Sequence, residues 1–308
     1  MDRFVDELFE RLRALSYQAR MISIDHLPLL QNQIDEQRNQ GLLDNEFYQQ
    51  RLAMFRFQIP ESLPRATSML VIAVPRPQTR AILTWNGQRR PLIIPPTYTA
   101  YKSINKQVEI LLARILGEKG YRLTGAILPL KLLAARSGLS QYGRNNICYV
   151  SGMGSFLQLV AVYSDMPCEL DSWQEATMLQ SCEECELCGR ACPTEAIPSD
   201  RFLLRAERCI TYHNEKKGDV PFPRWINASW HNCLEGCMRC QRVCPVNAQL
   251  IGWIGEEEEF SEEETALLLD GMARDTLPEE TLRKLVHLDI LDDLDILPRN
   301  LGVFFKKE

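Results

Sequence analysis

Two cysteine runs constrain what this chain can fold into. Cys182-x2-Cys185-x2-Cys188-x3-Cys192-Pro193 is followed by Cys237-x2-Cys240-x3-Cys244-Pro245, and nine of the eleven cysteines fall between Cys182 and Cys244. Disulfides are rare where thiols are kept reduced, and so dense a cluster in place of aliphatic residues points to metal. In bacterial double-cluster proteins the first three thiolates of such a run hold one [4Fe-4S] cube and the fourth reaches the other. The second run lacks its first member, for which Cys209 is the natural candidate. The spacing therefore assigns Cys182, Cys185, Cys188 and Cys244 to one cube and Cys192, Cys209, Cys237 and Cys240 to the other. Cys233, four residues before Cys237, is the alternative to Cys209. Zinc also binds CxxC pairs, but it does not call for two CxxxCP endings. Cys148 and Cys168 lie outside the pattern and read as inert buried thiols.

The rest of the composition is that of an ordinary globular protein: 308 residues, 45% hydrophobic, 25% charged, net charge -6. This length suggests two domains, and the composition excludes disordered and fibrous classes. The longest apolar stretches, 69–74 and 157–163, are far short of the ~20 residues of a membrane span. The opening MDRFVDELFERLR reads as an acidic amphipathic helix without the basic and apolar regions of a signal peptide. The expectation is a cytoplasmic protein with no membrane partner.

Apolar periodicity predicts helices over 2–20 and 26–58 with a short strand at 21–24 between them. It then predicts a buried strand at 69–74, and a hairpin of 81–85 and 91–94 about Asn86-Gly87. A helix over 101–119, a strand over 122–128, a helix over 131–137 ended by Gly138 and a strand over 156–163 follow. The expected fold class is α+β: an N-terminal α/β sandwich with a central mixed sheet over 1–172, then a ferredoxin-like double-cluster domain over 173–254. A small acidic helical cap over 255–308 completes it, with helices at 262–270 and 279–287. Ser261 and Glu264 fit a capping box, and the cluster segment is too small and polar to fold without a metal staple.

Residues 255–308 hold 16 acidic and 6 basic side chains, a net of -10, which leaves the remainder at +4. That acidic tail reads as a solvated cap, with a docking surface for a cationic partner as the functional alternative. The stretch from Lys119 to Ser164 has no Asp or Glu, but has Lys119, Arg122, Lys131, Arg136, Arg144 and six glycines. Such a stretch suits close backbone approach to a large flat or anionic ligand, or is simply core. No P-loop, GxGxxG, HExxH or GxSxG is present, so nucleotide, zinc-protease and serine-hydrolase readings lack their usual support.

Leu133-Ala134-Ala135-Arg136-Ser137-Gly138-Leu139-Ser140-Gln141-Tyr142-Gly143-Arg144-Asn145, followed by Gly154-Ser155-Phe156, resembles the AARAGLGWxGKN…GSxxxLG stretch of epoxyqueuosine reductases and of their relatives the reductive dehalogenases. The cluster segment agrees with the same family in Pro193-Thr194-Glu195-Ala196-Ile197, Arg208-Cys209-Ile210-Thr211-Tyr212 and Gly236-Cys237 to Asn247. Leu63-Pro64-Arg65-Ala66 before the 69–74 strand is also similar. The resemblance covers roughly 60–250. It implies a cobalamin-type corrinoid in the N-terminal domain, reduced through two [4Fe-4S] clusters, with Lys131, Gly138, Tyr142, Gly143, Arg144 and Asn145 matching the corrinoid-contacting stretch.

One departure bears on the chemistry. The family carries an Asp, thought to be the proton donor, in a Val-Asp-Ser-Ala-Pro stretch where this chain has Leu123-Thr124-Gly125-Ala126-Ile127-Leu128-Pro129. Protonation would then fall to Tyr142, Lys131, Tyr98 or Tyr101, and the substrate is expected to differ from epoxyqueuosine. Dehalogenases usually carry a twin-Arg export signal, and none is present. The expectation is an iron-sulfur reductase served by a low-potential ferredoxin- or flavodoxin-type donor and acting on a small-molecule or nucleoside substrate. A net of +4 on the body leaves little charge for tRNA, which is not the favoured partner. The alternatives are an electron-transfer or corrinoid-activating protein that docks a partner without substrate chemistry, and a relic that keeps its clusters only for folding.

Overall fold

The computed structural model describes residues 3–98 and 100–305. In chain order the first elements are α1 (Arg3–Ala14), β1 (Gln18–Ser23), α2 (Leu27–Asn39), α3 (Asn45–Phe47), β2 (Ser68–Pro75), β3 (Gln78–Trp85) and β4 (Gln88–Ile94). Next come α4 (Tyr101–Gly117), β5 (Leu123–Gly125), α5 (Leu130–Arg136), β6 (Gln141–Tyr142), β7 (Cys148–Tyr149) and β8 (Leu157–Ser164). The cluster segment holds α6 (Leu187–Ala191), α7 (Ile210–Asn214) and α8 (Arg239–Arg242), and the chain ends with β9 (Ile254–Phe260), α9 (Glu262–Leu269), α10 (Glu279–His287) and α11 (Leu297–Gly302). Among the described residues no helix is long and apolar enough to cross a membrane.

The chain divides into two compact units, 1–75 with 101–186 and 197–205, and 76–100 with 187–196 and 206–308. The first is built on a four-stranded sheet in the order β1-β2-β8-β5, antiparallel throughout. β2 and β8 occupy its centre, and β8 is buried along its whole length, which is why both read as unbroken apolar runs. The core takes Ile22, Leu30 and Ile34 from β1 and α2, Leu132, Leu133 and Ala135 from α5, and Met69, Val71 and Leu159 from the central strands. The helix expected over 26–58 ends early, because Gly41 takes a φ of 68° and Asp44 starts a new turn by accepting from the Phe47 N–H at 2.8 Å. The strand expected over 122–128 is only the three residues of β5. The motif carrying the family resemblance runs from α5 through the turn at Gly138 into the β6/β7 hairpin, Tyr142 opposite Cys148.

The second unit holds a three-stranded sheet, β4-β3-β9. Asn86 and Gly87, at φ 49° and 70°, make the tight turn that their sequence favours, and the polar residues after it belong to β4. β9 is the unexpected element. It lies in the glutamate run read as part of a solvated cap, yet it pairs in parallel with β3. The period of two sends successive glutamates to opposite faces: Glu257 and Glu259 pair with Arg80 and Arg89, while Glu258 accepts from Arg283 at 3.1 Å and meets His287 at 2.5 Å. Leu83, Leu92, Phe260, Leu268, Leu285 and Leu301 share one core. The hairpin and the C-terminal helices are thus one body, and neither expected boundary, 172/173 or 254/255, coincides with a boundary between units. The helices at 262 and 279 and the Ser261–Glu264 capping box are present as read from sequence.

Candidate iron-sulfur site

Cys182 and Cys185 lie in the first unit; Cys188, Cys192, Cys209, Cys237, Cys240 and Cys244 lie in the second. In the second unit Cys188 sits on α6, Cys209 immediately before α7, and Cys240 on α8. The Cys209 sulfur accepts hydrogen bonds from the N–H groups of Thr211 and Tyr212 and from the Thr211 hydroxyl, and Cys237 accepts from the Arg239 N–H. Short helices deliver these donors, because their first N–H groups have no partner within the helix.

Burial pushes the Cys237 thiol up to about 12, and the charges of Cys209 and Cys192 add to the effect. Cys240 is raised further by burial, then by Cys237, Cys209, Cys192 and Cys188. Cys209 is raised by burial and by Cys192, against the pull of its three donors. Thiolates crowded together, with N–H donors aimed at Cys209 and Cys237, repel one another unless a cation stands between them, and this chemistry fits an iron-sulfur cluster. Among the described residues no three His, Cys, Asp or Glu side chains converge as a single ion would need; a cube, held at its corners, does not require that. Cys233 is fully buried and raised by burial and by Cys237, but Cys209 acts on Cys237 and Cys240 more strongly than Cys233 does. Its backbone bridges Ile93. Cys148, also buried, donates toward the Lys131 carbonyl at 3.3 Å and is pushed up to about 11 by burial, as is Cys168.

In the first unit the residues matched to the corrinoid stretch are brought together at the β6/β7 hairpin, but several are occupied. Arg144 donates to the carbonyls of Cys182 at 2.9 Å and Glu183 at 3.0 Å, so it braces the start of the cysteine run. Asn145, buried, donates to the Tyr149 hydroxyl at 2.9 Å and accepts from the Ile147 N–H. Gly143 has no room for a side chain: a Cβ there would stand 2.5 Å from the Tyr149 ring. Lys131 is exposed and donates to the Asn146 carbonyl at 3.2 Å, with two of its three donors left over. Gly138, at φ 69°, faces the Gln174 amide. Tyr142 packs edge-on against Phe202 at 5.1 Å, and burial holds its phenol far above its ordinary value. Tyr98, in the second unit, donates to Glu215; Tyr101 is exposed.

Sequence distance concealed two carboxylates in the first unit. The Glu109 carboxylate would lie 2.6 Å from a Cβ placed at Gly125, and Glu61 lines a cavity of about 710 Å³ together with Phe57, Ile59, Thr124, Gly125 and Tyr163. Both stand beside residues 123–129, which carry no carboxylate of their own. Only the pairing of α4 with β5 brings Glu109 there, and nothing in the local sequence signals it.

The class of the cysteine-bearing segment follows from comparison with known proteins: residues 181–247 match the family described as a 4Fe-4S double cluster binding domain. Over a longer span the chain is similar to epoxyqueuosine reductases. It is 31% identical to that of Staphylococcus aureus over 196 residues, 60% of this chain and 50% of the relative. It is 32% identical to that of Pseudomonas aeruginosa over 153 residues, 48% of this chain and 41% of the relative. The chain thus spans about half the length, or less, of the curated relatives it matches. Solved structures of the Streptococcus thermophilus and Bacillus subtilis epoxyqueuosine reductases superpose with a TM-score of 0.67 each, at 17% and 20% identity, over 98% of this chain and 80% of theirs. That likeness shows a shared mixed α/β fold, and with the sequence matches it bears out the resemblance drawn from 133–145 and the cysteine runs.

Proposed function

We propose that the chain is an iron-sulfur reductase. One [4Fe-4S] cluster would rest on Cys182, Cys185, Cys188 and Cys244 and the other on Cys192, Cys209, Cys237 and Cys240, passing electrons singly toward a corrinoid or a substrate at the N-terminal unit. The observation that carries this reading is the convergence of cysteines from separate stretches of chain: Cys192, Cys209 and Cys237 all lie near enough to Cys240 to raise its thiol. It also favours Cys209 over Cys233 as the eighth ligand. A bound corrinoid would supply a low-valent metal able to reduce a carbon–heteroatom bond. Of the six matched residues, Lys131 and the backbone at Gly138 and Gly143 remain suited to its polar edge. Arg144 and Asn145 serve the protein's own loops, so they hold such a ligand only indirectly.

The S. aureus and P. aeruginosa relatives are epoxyqueuosine reductases, and one solved relative was captured with an epoxyqueuosine-modified tRNA stem loop. The Bacillus subtilis structure is described with an aspartate catalytic loop swung out of its active site. Because 123–129 carries no carboxylate, the substrate of this chain is proposed to differ, a small molecule or nucleoside in preference to tRNA. Tyr142 is a poor acid in its buried position, which leaves Glu61 and Glu109 better placed than Tyr142 or Lys131 to deliver a proton near Thr124. A ferredoxin- or flavodoxin-type protein of the cytoplasm would be the electron donor.

The second reading, an electron carrier or corrinoid activator without substrate chemistry, is favoured by that same missing carboxylate. Anaerobic purification with iron and cobalt counts and an absorption spectrum separates the two. About eight irons with stoichiometric corrinoid uptake supports the reductase, eight irons without corrinoid affinity supports the carrier, and no iron removes both.

A further inference from the structure

Resting on the cluster reading above, we propose that Asn300, acting through Asn214, is a positioning residue for the cluster on Cys192, Cys209, Cys237 and Cys240. It lies on α11, far outside the segment 181–247 that matches the double-cluster family. Asn300 is 1% exposed, and its amide donates to the carbonyls of Asn214 at 3.2 Å and Leu234 at 3.1 Å. These two bonds use both of its N–H groups. Asn214, fully buried, in turn donates to the Gly236 carbonyl at 2.7 Å. Arg299 reinforces the same point by donating to the Asn214 carbonyl at 2.8 Å.

The segment gripped in this way is the one that delivers Cys237. Gly236 precedes it directly, and because the peptide is planar, fixing the Gly236 carbonyl fixes the plane from which the Cys237 backbone departs. The opposite side is held by the hairpin: the Leu234 N–H donates to the Ile93 carbonyl at 2.9 Å, and the Tyr98 ring lies where a Gly236 Cβ would be, 2.8 Å from it. The C-terminal region read as a solvated acidic cap therefore contributes one jaw of a clamp on the cluster loop. Cluster potentials follow hydrogen bonds to the sulfurs and solvent exposure, so a loosened clamp changes the cluster's signature without removing any ligand.

The test uses the full chain loaded with iron anaerobically. Asn300→Asp keeps the shape of the side chain but sets acceptors against two carbonyls, and Asn214→Ser cuts only the last link. Both variants are expected to keep the wild-type iron count while the electron paramagnetic resonance signal and midpoint potential of one reduced cluster shift and those of the other stay. Arg283→Ala, in the same C-terminal region but with no bond to the loop, is expected to give the wild-type spectrum. Wild-type spectra from both variants, equal shifts in both clusters, or the same shift from Arg283→Ala would overturn the proposal. If Asn300→Asp does not fold, a wild-type spectrum from Asn214→Ser overturns it alone. A wild-type protein that takes up no iron defeats the cluster reading instead.

Discussion

Replacing Gly236 by Ala tests how tightly the cluster loop is built. Gly236 adopts a φ of 65°, and an added Cβ would stand 2.8 Å from the Tyr98 ring and 3.2 Å from Pro95. The left-handed conformation costs a residue with a Cβ about 1–2 kcal/mol, and forcing a methyl group into a filled space costs about 1–3 kcal/mol more. Tyr98 cannot swing away freely, because its hydroxyl is tied to Glu215. The expected loss is about 2–5 kcal/mol. Gly120→Ala supplies the control: its φ is 80° but the space around it is empty, so it bears only the conformational cost of about 1–2 kcal/mol. Denaturant midpoints of the two variants, read with their iron content, isolate the packing contribution. Should Gly236→Ala unfold no more easily than Gly120→Ala and load iron as wild type, the tight contact on which this reasoning depends is not present.

Cys209→Ala is expected to lose about four of eight irons and Cys233→Ala to lose none; iron analysis of the two decides which is the ligand. Glu264→Gln takes from Lys284 the carboxylate it meets at 2.6 Å, the two side chains being 12% and 13% exposed, and leaves it only Glu280 at 4.0 Å. A loss of about 2–4 kcal/mol is expected, smaller when Lys284→Met is added, as a double-mutant cycle in urea would show. Cys148 rises from 9 to about 11 on folding. The unfolded chain therefore ionises first, and stability that is full below pH 9 falls by about 2–3 kcal/mol as pH rises toward 11. Cys148→Ala should flatten that slope in paired denaturation curves at the two ends of the window. Glu61→Gln, and separately Glu109→Gln, should leave the cluster spectra unchanged; if either alters them, that carboxylate does not act where the proposal puts it.

What the sequence revealed was local. Asn86-Gly87, Gly138 and the Ser261–Glu264 box each specify a turn or a cap through neighbours two or three residues away, and each is found where expected. The cysteine spacing was legible for the same reason, and residues 181–247 match a 4Fe-4S double cluster binding domain. The features that escaped depend on partners distant in the chain. A glutamate run has poor strand propensity, and Glu257 and Glu259 become strand residues because Arg80 and Arg89 lie alongside. Asn300 is an unremarkable polar residue until the backbones of Asn214 and Leu234 are brought to it. The match of Arg144 and Asn145 to the corrinoid-contacting stretch gave no sign that they would donate to the Cys182 carbonyl and to the Tyr149 hydroxyl.

The parallel pairing of β3 with β9 also sets an order of events in the cell. The hairpin leaves the ribosome about 160 residues ahead of its third strand, which at the usual pace of synthesis means waiting roughly 10–30 s. Through that interval Leu83 and Leu92 lack the C-terminal half of their core, and the outer rim of β3 offers bare N–H and C=O groups to any passing strand. A chain cut short before Ile254 would keep all of the assigned cysteines yet make that interval permanent. Such a truncation is expected to precipitate as it is made, not to accumulate as a smaller soluble carrier.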